Sequence, residues 1–330
     1  MNVTLEAFQA LPVEQVARLA RAAGPRVCVF PINGTRRWFM LEHGAALAGA
    51  PDPVTTYLEI TGQRHIELYR LLFEHGLDTL LTPVFGPDLI DDRGDGYMRL
   101  AADGLERLAN HPAFLRFYDD FQVRVRFYGD HRAYFRATPY AHLSDLFDET
   151  TARTADHGRH RLFYGVCAHD AAETVARLCI DDHAHHGTAP DKRALVEMYY
   201  GEWVDPVSLF IGFDKFCVFD MPLVSTGNED LYFTVSPSPY LTARQLREML
   251  FDHLYCRRGG EIDYAGLGTD EWQWMKRYYE THHERTQGIG RRQKGIGLWV
   301  PLPQLVHPDD VDCTRPRSRP NPINQVERET

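Results

Sequence analysis

Residues 27–39 read VCVFPINGTRRWF. A short apolar run, 26–31, is followed at once by Pro-Ile-Asn-Gly and then by two adjacent arginines. A run of this length bounded by turn residues predicts a buried strand. The turn residues and arginines behind it predict the loop in which a parallel α/β sheet places its ligand, beyond the carboxyl end of a strand. Backbone N–H groups of Gly34 and Thr35 can donate to a phosphate there, and Arg36 and Arg37 can grip it bidentately. The same two arginines would also be ordinary on a solvated surface, so the stretch alone leaves both readings open.

Working outward, the chain alternates strand and helix patterns. Strands are predicted at 79–85 (TLLTPVF), 123–130 (VRVRFYGD), 161–169, 209–213 (LFIGF) and 231–237. Helical spacing marks the second half of 4–23, then 57–75 with Gly76 as its cap, part of 97–121, 170–187, and 242–258 behind a Thr cap. Residues 43–56 are small and Pro/Gly-containing and predict a mobile loop; 136–160 show no clear period. The alternation gives an α/β fold, a single domain over 1–302 with a central, mostly parallel sheet flanked by helices. The Pro-rich polar tail, 303–330, is expected to be disordered.

Composition bounds the function. The 330 residues carry a net charge of −10, which argues against a nucleic-acid partner while leaving room for a small anion at a local arginine cluster. Six cysteines without a CxxC pair read as reduced thiols, and no apolar run reaches membrane-spanning length, so a cytoplasmic protein is expected. The 12% aromatic content would suit a hydrophobic substrate. His183, His185 and His186 beside Asp182 are a weak zinc candidate, and HHER (282–285) a weaker one. GIGRRQKGIG (288–297) is basic and Gly-rich but precedes a strand, so it reads as a flap rather than a dinucleotide loop.

PINGTRRWF after the first strand, with VRVRFYGD, FYGVCAHDAAETVAR and DLYFT in order behind it, resembles the cis-prenyltransferase family. The likeness is strongest to a divergent, tuberculosinyl-transferring branch, through FPINGTRRWF, LLFEHGLDTLLTPVF, GVCAHDAAETVA, YYGEWVD, FIGFDKF and LYFTVSPSPY, and spans about residues 5–300. The resemblance implies one sheet domain and a homodimer. It also implies a cyclised diterpenyl diphosphate substrate, ionised at the loop after strand one and captured by a nucleoside such as adenosine or by water. Such chemistry needs cations or N–H donors for the leaving group, an apolar, electron-rich pocket and a placed nucleophile.

Arg36 and Arg37 with the Gly34 and Thr35 amides match the first need. Trp38, Phe39, Phe85 and Tyr128 are candidates for the pocket, and the resemblance gives Tyr57 a catalytic role, with its phenol on the diphosphate or the cation. Where the family carries an Asp that binds magnesium or acts on the substrate, this chain has Asn33, which keeps the shape, loses the charge and cannot act as a base. Three readings stay open: ionisation without a metal at this position, an inactive isoprenoid-diphosphate binder, or a deliberate Asp-to-Asn replacement. Asp230 falls where elongating members place a metal-binding Glu and is the candidate Mg²⁺ ligand. The arginines that hold a second diphosphate in elongating members are missing from LVSTGNEDLYFT, which disfavours chain elongation and favours a neutral acceptor.

Overall fold

The computed structural model describes residues 3–23, 26–86, 95–257, 264–293, 295 and 298–302. Six parallel strands form one sheet: β1 (Cys28–Val29), β2 (Thr79–Phe85), β3 (Val123–Tyr128), β4 (His160–Val166), β5 (Leu209–Phe213) and β6 (Asp230–Thr234), in the order β3-β4-β2-β1-β5-β6. The chain departs from β1 towards β2 on one side and later returns to β5 on the other. The reversal between β1 and β5 opens a crevice at their carboxyl ends.

β1 is shorter than its sequence pattern predicts, and its brevity shapes that crevice. It pairs through Cys28↔Leu80 and Val29↔Leu81, and Phe30 N–H donates to Leu81 O at 2.8 Å. Beyond it lies Pro83 of β2, whose missing N–H would point to the same side as the groups of Leu81, where β1 has already ended. A proline in an interior strand is tolerated for that reason.

Both faces of the sheet are buried, as its near-continuous apolar strands require. On one face Leu80, Leu162, Tyr164 and Val125 pack with the helices Pro53–Glu74, Asp95–Asn110, Pro112–Phe121 and His142–Arg153. On the other, Leu81, Phe163 and Tyr128 pack with Val196, Tyr199 and Tyr200 of the helix Lys192–Tyr200 and with Val175 and Leu178 of Ala172–His186.

Two stretches differ from their sequence pattern. The loop expected over 43–56 contains a 3-10 turn at Gly44–Leu47 and the start of a helix at Pro53, four residues before Tyr57. Asp52 accepts from Val54 N and Thr55 N at 3.1 Å, and Pro53 takes the first helical position, where its missing donor costs nothing. The aperiodic 136–160 contains the helix His142–Arg153. Its inward face mixes Leu143 and Phe147 with Thr150, whose hydroxyl donates to Ala109 O at 2.7 Å. A polar residue on the buried face hides the period. The predicted helix 242–258 is α-helical over Ala243–Phe251 and then widens into a π turn, Asp252–Cys256.

The chain divides into two compact units, 1–259 and 260 onward. The first holds the whole six-stranded sheet. In the second, a helix (Thr269–His282) precedes an antiparallel hairpin of β7 (Gly290–Arg292) and β8 (Trp299–Pro301), so part of the basic GIGRRQKGIG stretch is itself a strand. The tail 303–330 lies outside the described residues. Among the described residues no helix is long and apolar enough to cross a membrane.

Candidate active site

Gly34 has φ 77° and caps the helix Thr35–His43 with no side-chain acceptor. The first-turn amides of that helix therefore point out of its end without a capping partner. Two anchors hold the turn: Asn33 N–H donates to Pro31 O (3.0 Å) and to Ser238 Oγ (3.1 Å), and Ser238 N–H donates back to Asn33 O (3.0 Å). A Cβ on Gly34 would lie 2.8 Å from Pro237 Cβ and 2.9 Å from Phe213 Cε1, so the turn is pressed against the ends of β5 and β6. The Asn33 side chain makes no hydrogen bond among the described residues.

Arg36 and Arg37 are both exposed at the crevice. The Arg37 guanidinium lies over the Phe213 ring (5.2 Å to its centroid) and 3.6 Å from Asp214 Oδ2. Arg36 has no carboxylate partner among the described residues. With Lys215, these groups and the helix end make the crevice locally positive in a chain that is acidic overall.

Behind the loop lies a cavity of about 810 Å³, within the range of small-molecule sites, roughly 300–1,000 Å³. Asn33, Gly34, Thr35, Arg36 and Arg37 line its mouth, and Tyr57, Thr61, His65 and Tyr69 form one wall, one residue per helical turn of Pro53–Glu74. Phe85, Leu105, Leu108 and Phe114 make its interior apolar. The structure thus brings together Asn33 to Arg37, Tyr57 and Phe85. Tyr57 lies a turn inside its helix rather than opening it, and its ring meets Phe39 edge-on at 4.9 Å.

Three of the four aromatic candidates lie elsewhere. Trp38 is buried against His43, Phe39 is buried behind Tyr57, and Tyr128 is packed on the other face of the sheet with its hydroxyl donating to Asp220 O at 2.8 Å. None of the three lines the cavity. On Thr35–His43 the inward turn of the helix sends 38 and 39 to the core, while Met40 faces the cavity.

Asp230 is likewise apart from the loop. It opens β6, at the amino end of a parallel strand, opposite the crevice. Its carboxylate is engaged by His253 Nδ1 (2.6 Å) and Arg257 (3.3 Å). At the crevice itself, position 33 supplies an amide, and the nearby carboxylate, Asp214, faces Arg37. Mg²⁺ binds through one or two carboxylates plus phosphate oxygens. Among the described residues lining the crevice, Asp214 is the carboxylate that could contribute to such a site, and Asn33 could add only a neutral amide oxygen. His183, His185 and His186 do not converge either: His186 Nδ1 meets Asp182 Oδ1 at 2.9 Å and His185 Nδ1 meets Asp181 O at 2.6 Å, both within one helical turn. No set of three or more His, Cys, Asp or Glu side chains among the described residues is arranged to hold a metal.

His65, Phe213, Asp214 and Lys215 were not singled out in the sequence. The last three stand at the carboxyl end of β5, where the strand-end rule would have found them. His65 sits mid-helix, and its signal is the four-residue spacing to Tyr57, Thr61 and Tyr69. The Thr35 hydroxyl donates to Ile32 O (3.0 Å), so it accepts from His65 Nε2–H (3.4 Å). Burial pushes the His65 imidazole down to about 4, and likewise His131, which meets Ser144 Oγ at 3.1 Å. Both are neutral at pH 7.

The unfolded chain, with histidines near their usual value of about 6.5, therefore binds more protons than the folded one between pH ~4 and ~6.5. Stability is expected to rise with pH through that window and to be lost as pH falls. The urea midpoint should drop from pH 7 to pH 5, and His65→Asn should flatten part of the slope. A midpoint unchanged across that range would contradict the lowered basicity of both rings.

The chain is 40% identical over 299 residues to the tuberculosinyl adenosine transferase of Mycobacterium tuberculosis (strain CDC 1551 / Oshkosh), covering 90% of this chain and 98% of that protein. It belongs to the tuberculosinyl adenosine transferase family. A (+)-kolavelool synthase of Herpetosiphon aurantiacus is 23% identical over 300 residues, 90% of this chain and 95% of that one. The fold is shared with lavandulyl diphosphate synthase from Lavandula x intermedia, solved with dimethylallyl diphosphate, at a TM-score of 0.54 and 14% identity over 74% of this chain and 98% of that one. No family model matches the chain. The fold is that of the cis-prenyltransferases, and the chain is an enzyme of the terpenyl-transferring and terpene-synthase kind.

Proposed function

We propose that this enzyme ionises a cyclised diterpenyl diphosphate at the loop after β1, releases pyrophosphate, and passes the terpenyl group to a nucleoside such as adenosine or to water. The observation that carries this reading is the joining of a cationic helix end, with Arg36 and Arg37, to an apolar cavity of about 810 Å³. One end suits a diphosphate and the other a C20 hydrocarbon.

The allylic C–O bond breaks with its electron pair going to the diphosphate. Arg36, Arg37 and the Thr35–Arg37 amides meet that growing charge with dipoles already in place. Tyr57 and Phe85 present electron-rich faces to the cation left behind. Asn33 cannot take a proton, and His65 is held too weakly basic to do so efficiently. A ring nitrogen of a nucleobase attacks with a lone pair and needs no base beforehand. Water capture sheds a proton, which the released diphosphate can accept. The reading includes a cytoplasmic homodimer, testable by light scattering.

Asn33 supports a second reading, an isoprenoid-diphosphate binder without turnover. Incubation with tuberculosinyl diphosphate, with and without adenosine and magnesium, separates the two. Pyrophosphate with a terpenyl nucleoside or terpenol is the expected result. Tight binding without release, relieved in Asn33→Asp, would favour the binder.

A further inference from the structure

The cavity behind the loop is apolar in its interior, yet one wall carries a column of polar side chains, Tyr57, Thr61, His65 and Tyr69. The Thr61 hydroxyl donates to Tyr57 O at 2.8 Å within its own helix, and Tyr69 is fully buried, edge-on to Tyr164. Hydroxyls and phenols keep their protons, so neither accepts one readily. His65 differs. The Thr35 hydroxyl donates its own proton to Ile32 O at 3.0 Å, so it receives the His65 Nε2–H at 3.4 Å. This fixes the tautomer, and Nδ1 carries the lone pair. Nδ1 has no hydrogen bond among the described residues, and it is not sealed from solvent. Thr35 opens the helix whose end we assign to the leaving group. His65 therefore stands on the cavity wall beside the place where the allylic cation forms.

We propose that His65 is the catalytic base for a second outcome of the reaction, in which the terpenyl cation loses a proton and leaves as a diterpene hydrocarbon. The inference rests on the proposed function and adds to it an activity and the residue that carries it.

The allylic C–O bond breaks, and its electron pair leaves with the diphosphate. A C–H bond on a carbon beside the cationic centre then breaks. Its electron pair becomes the new C=C bond, and the proton goes to Nδ1. The imidazolium stands near the released diphosphate, which takes the proton and returns the ring to its neutral form. No co-reactant is consumed. Burial holds the imidazole down to about 4, too weakly basic to activate a hydroxyl. A carbon beside a carbocation is a far stronger acid, and a weak neutral base suffices for it. The same low basicity keeps the lone pair free at pH 7. Phe85, Leu105, Leu108 and Phe114 offer no nucleophile, so a cation that escapes capture at the mouth meets proton loss as its way out.

The test reads product partition, which does not depend on total rate. The full-length enzyme is given tuberculosinyl diphosphate without adenosine. The ratio of diterpene hydrocarbon to terpenol is measured by gas chromatography and mass spectrometry, with total pyrophosphate beside it. His65→Ala and His65→Gln should each lower that ratio about tenfold or more, the second although its amide keeps an N–H for Thr35. Added imidazole should restore hydrocarbon in His65→Ala, where the lost ring leaves room for it. Full rescue by glutamine with none by imidazole would make His65 a positioning residue for Thr35 and overturn the proposal. Terpenol as the sole product of the unaltered enzyme, or an unchanged ratio in both variants, would also overturn it. Each of these results leaves the diphosphate reading intact. No pyrophosphate release under any condition would remove that reading, and the base with it.

Discussion

Arg36→Ala and Arg37→Ala are each expected to lower pyrophosphate release by about 100- to 1,000-fold, the usual consequence of deleting one donor aimed at developing charge. The two losses should differ in kind. Arg37 is held in place by Asp214 and the Phe213 ring, so its guanidinium is positioned before substrate arrives. Its removal should appear mainly in kcat. Arg36 has no such restraint and must be ordered by the diphosphate, so its removal should raise KM as well. Lysine at 37 should rescue poorly, because an ammonium cannot make two parallel bonds to a phosphate. Both side chains are exposed, so thermal unfolding should be unaffected. Steady-state pyrophosphate release, with unfolding as the control, decides it; full activity in both variants would displace the site from this loop.

Gly34→Ala should be more damaging than a one-carbon change suggests. The residue has φ 77°, which costs an L side chain about 1–2 kcal/mol, and the new methyl would press on Pro237 and Phe213, adding about 1–3 kcal/mol of overpacking. Unfolding free energy should fall by about 2–5 kcal/mol. The strain is relieved only by moving the helix end at which we propose the diphosphate binds, so release should also be lost. Gly49→Ala is the matched control: its φ is 87°, but nothing lies within 4 Å of the added carbon. It should lose only the backbone component and keep activity. Equal effects at both glycines would show that the tight seat of the loop has no role.

The sheet was legible where the chemistry is simple. TLLTPVF and LFIGF are strands over the predicted residues because both faces are buried and nearly every side chain is apolar. The loop after β1 was legible as a strand end because apolar run, glycine and paired arginines fall in one short stretch. The helix around 142–153 was hidden by threonines that turn inward and bond to backbone. The cavity walls were hidden for a related reason. A residue's chain neighbours do not say whether it faces core or crevice, so Trp38 and Phe39 looked like pocket and proved to be core, while Thr61 and His65 passed as ordinary helix. Asp230 was placed by analogy of order along the chain, and the direction of a parallel strand puts it at the wrong end.

The most direct measurement is a crystal structure with a terpenyl thiolodiphosphate, in which sulfur replaces the bridging oxygen and ionisation stalls. The account predicts the diphosphate at the Thr35–Arg37 amides, within hydrogen-bond reach of both guanidiniums, with the hydrocarbon running past Tyr57 towards Phe114. A diphosphate bound at any other end or face of the sheet would contradict it.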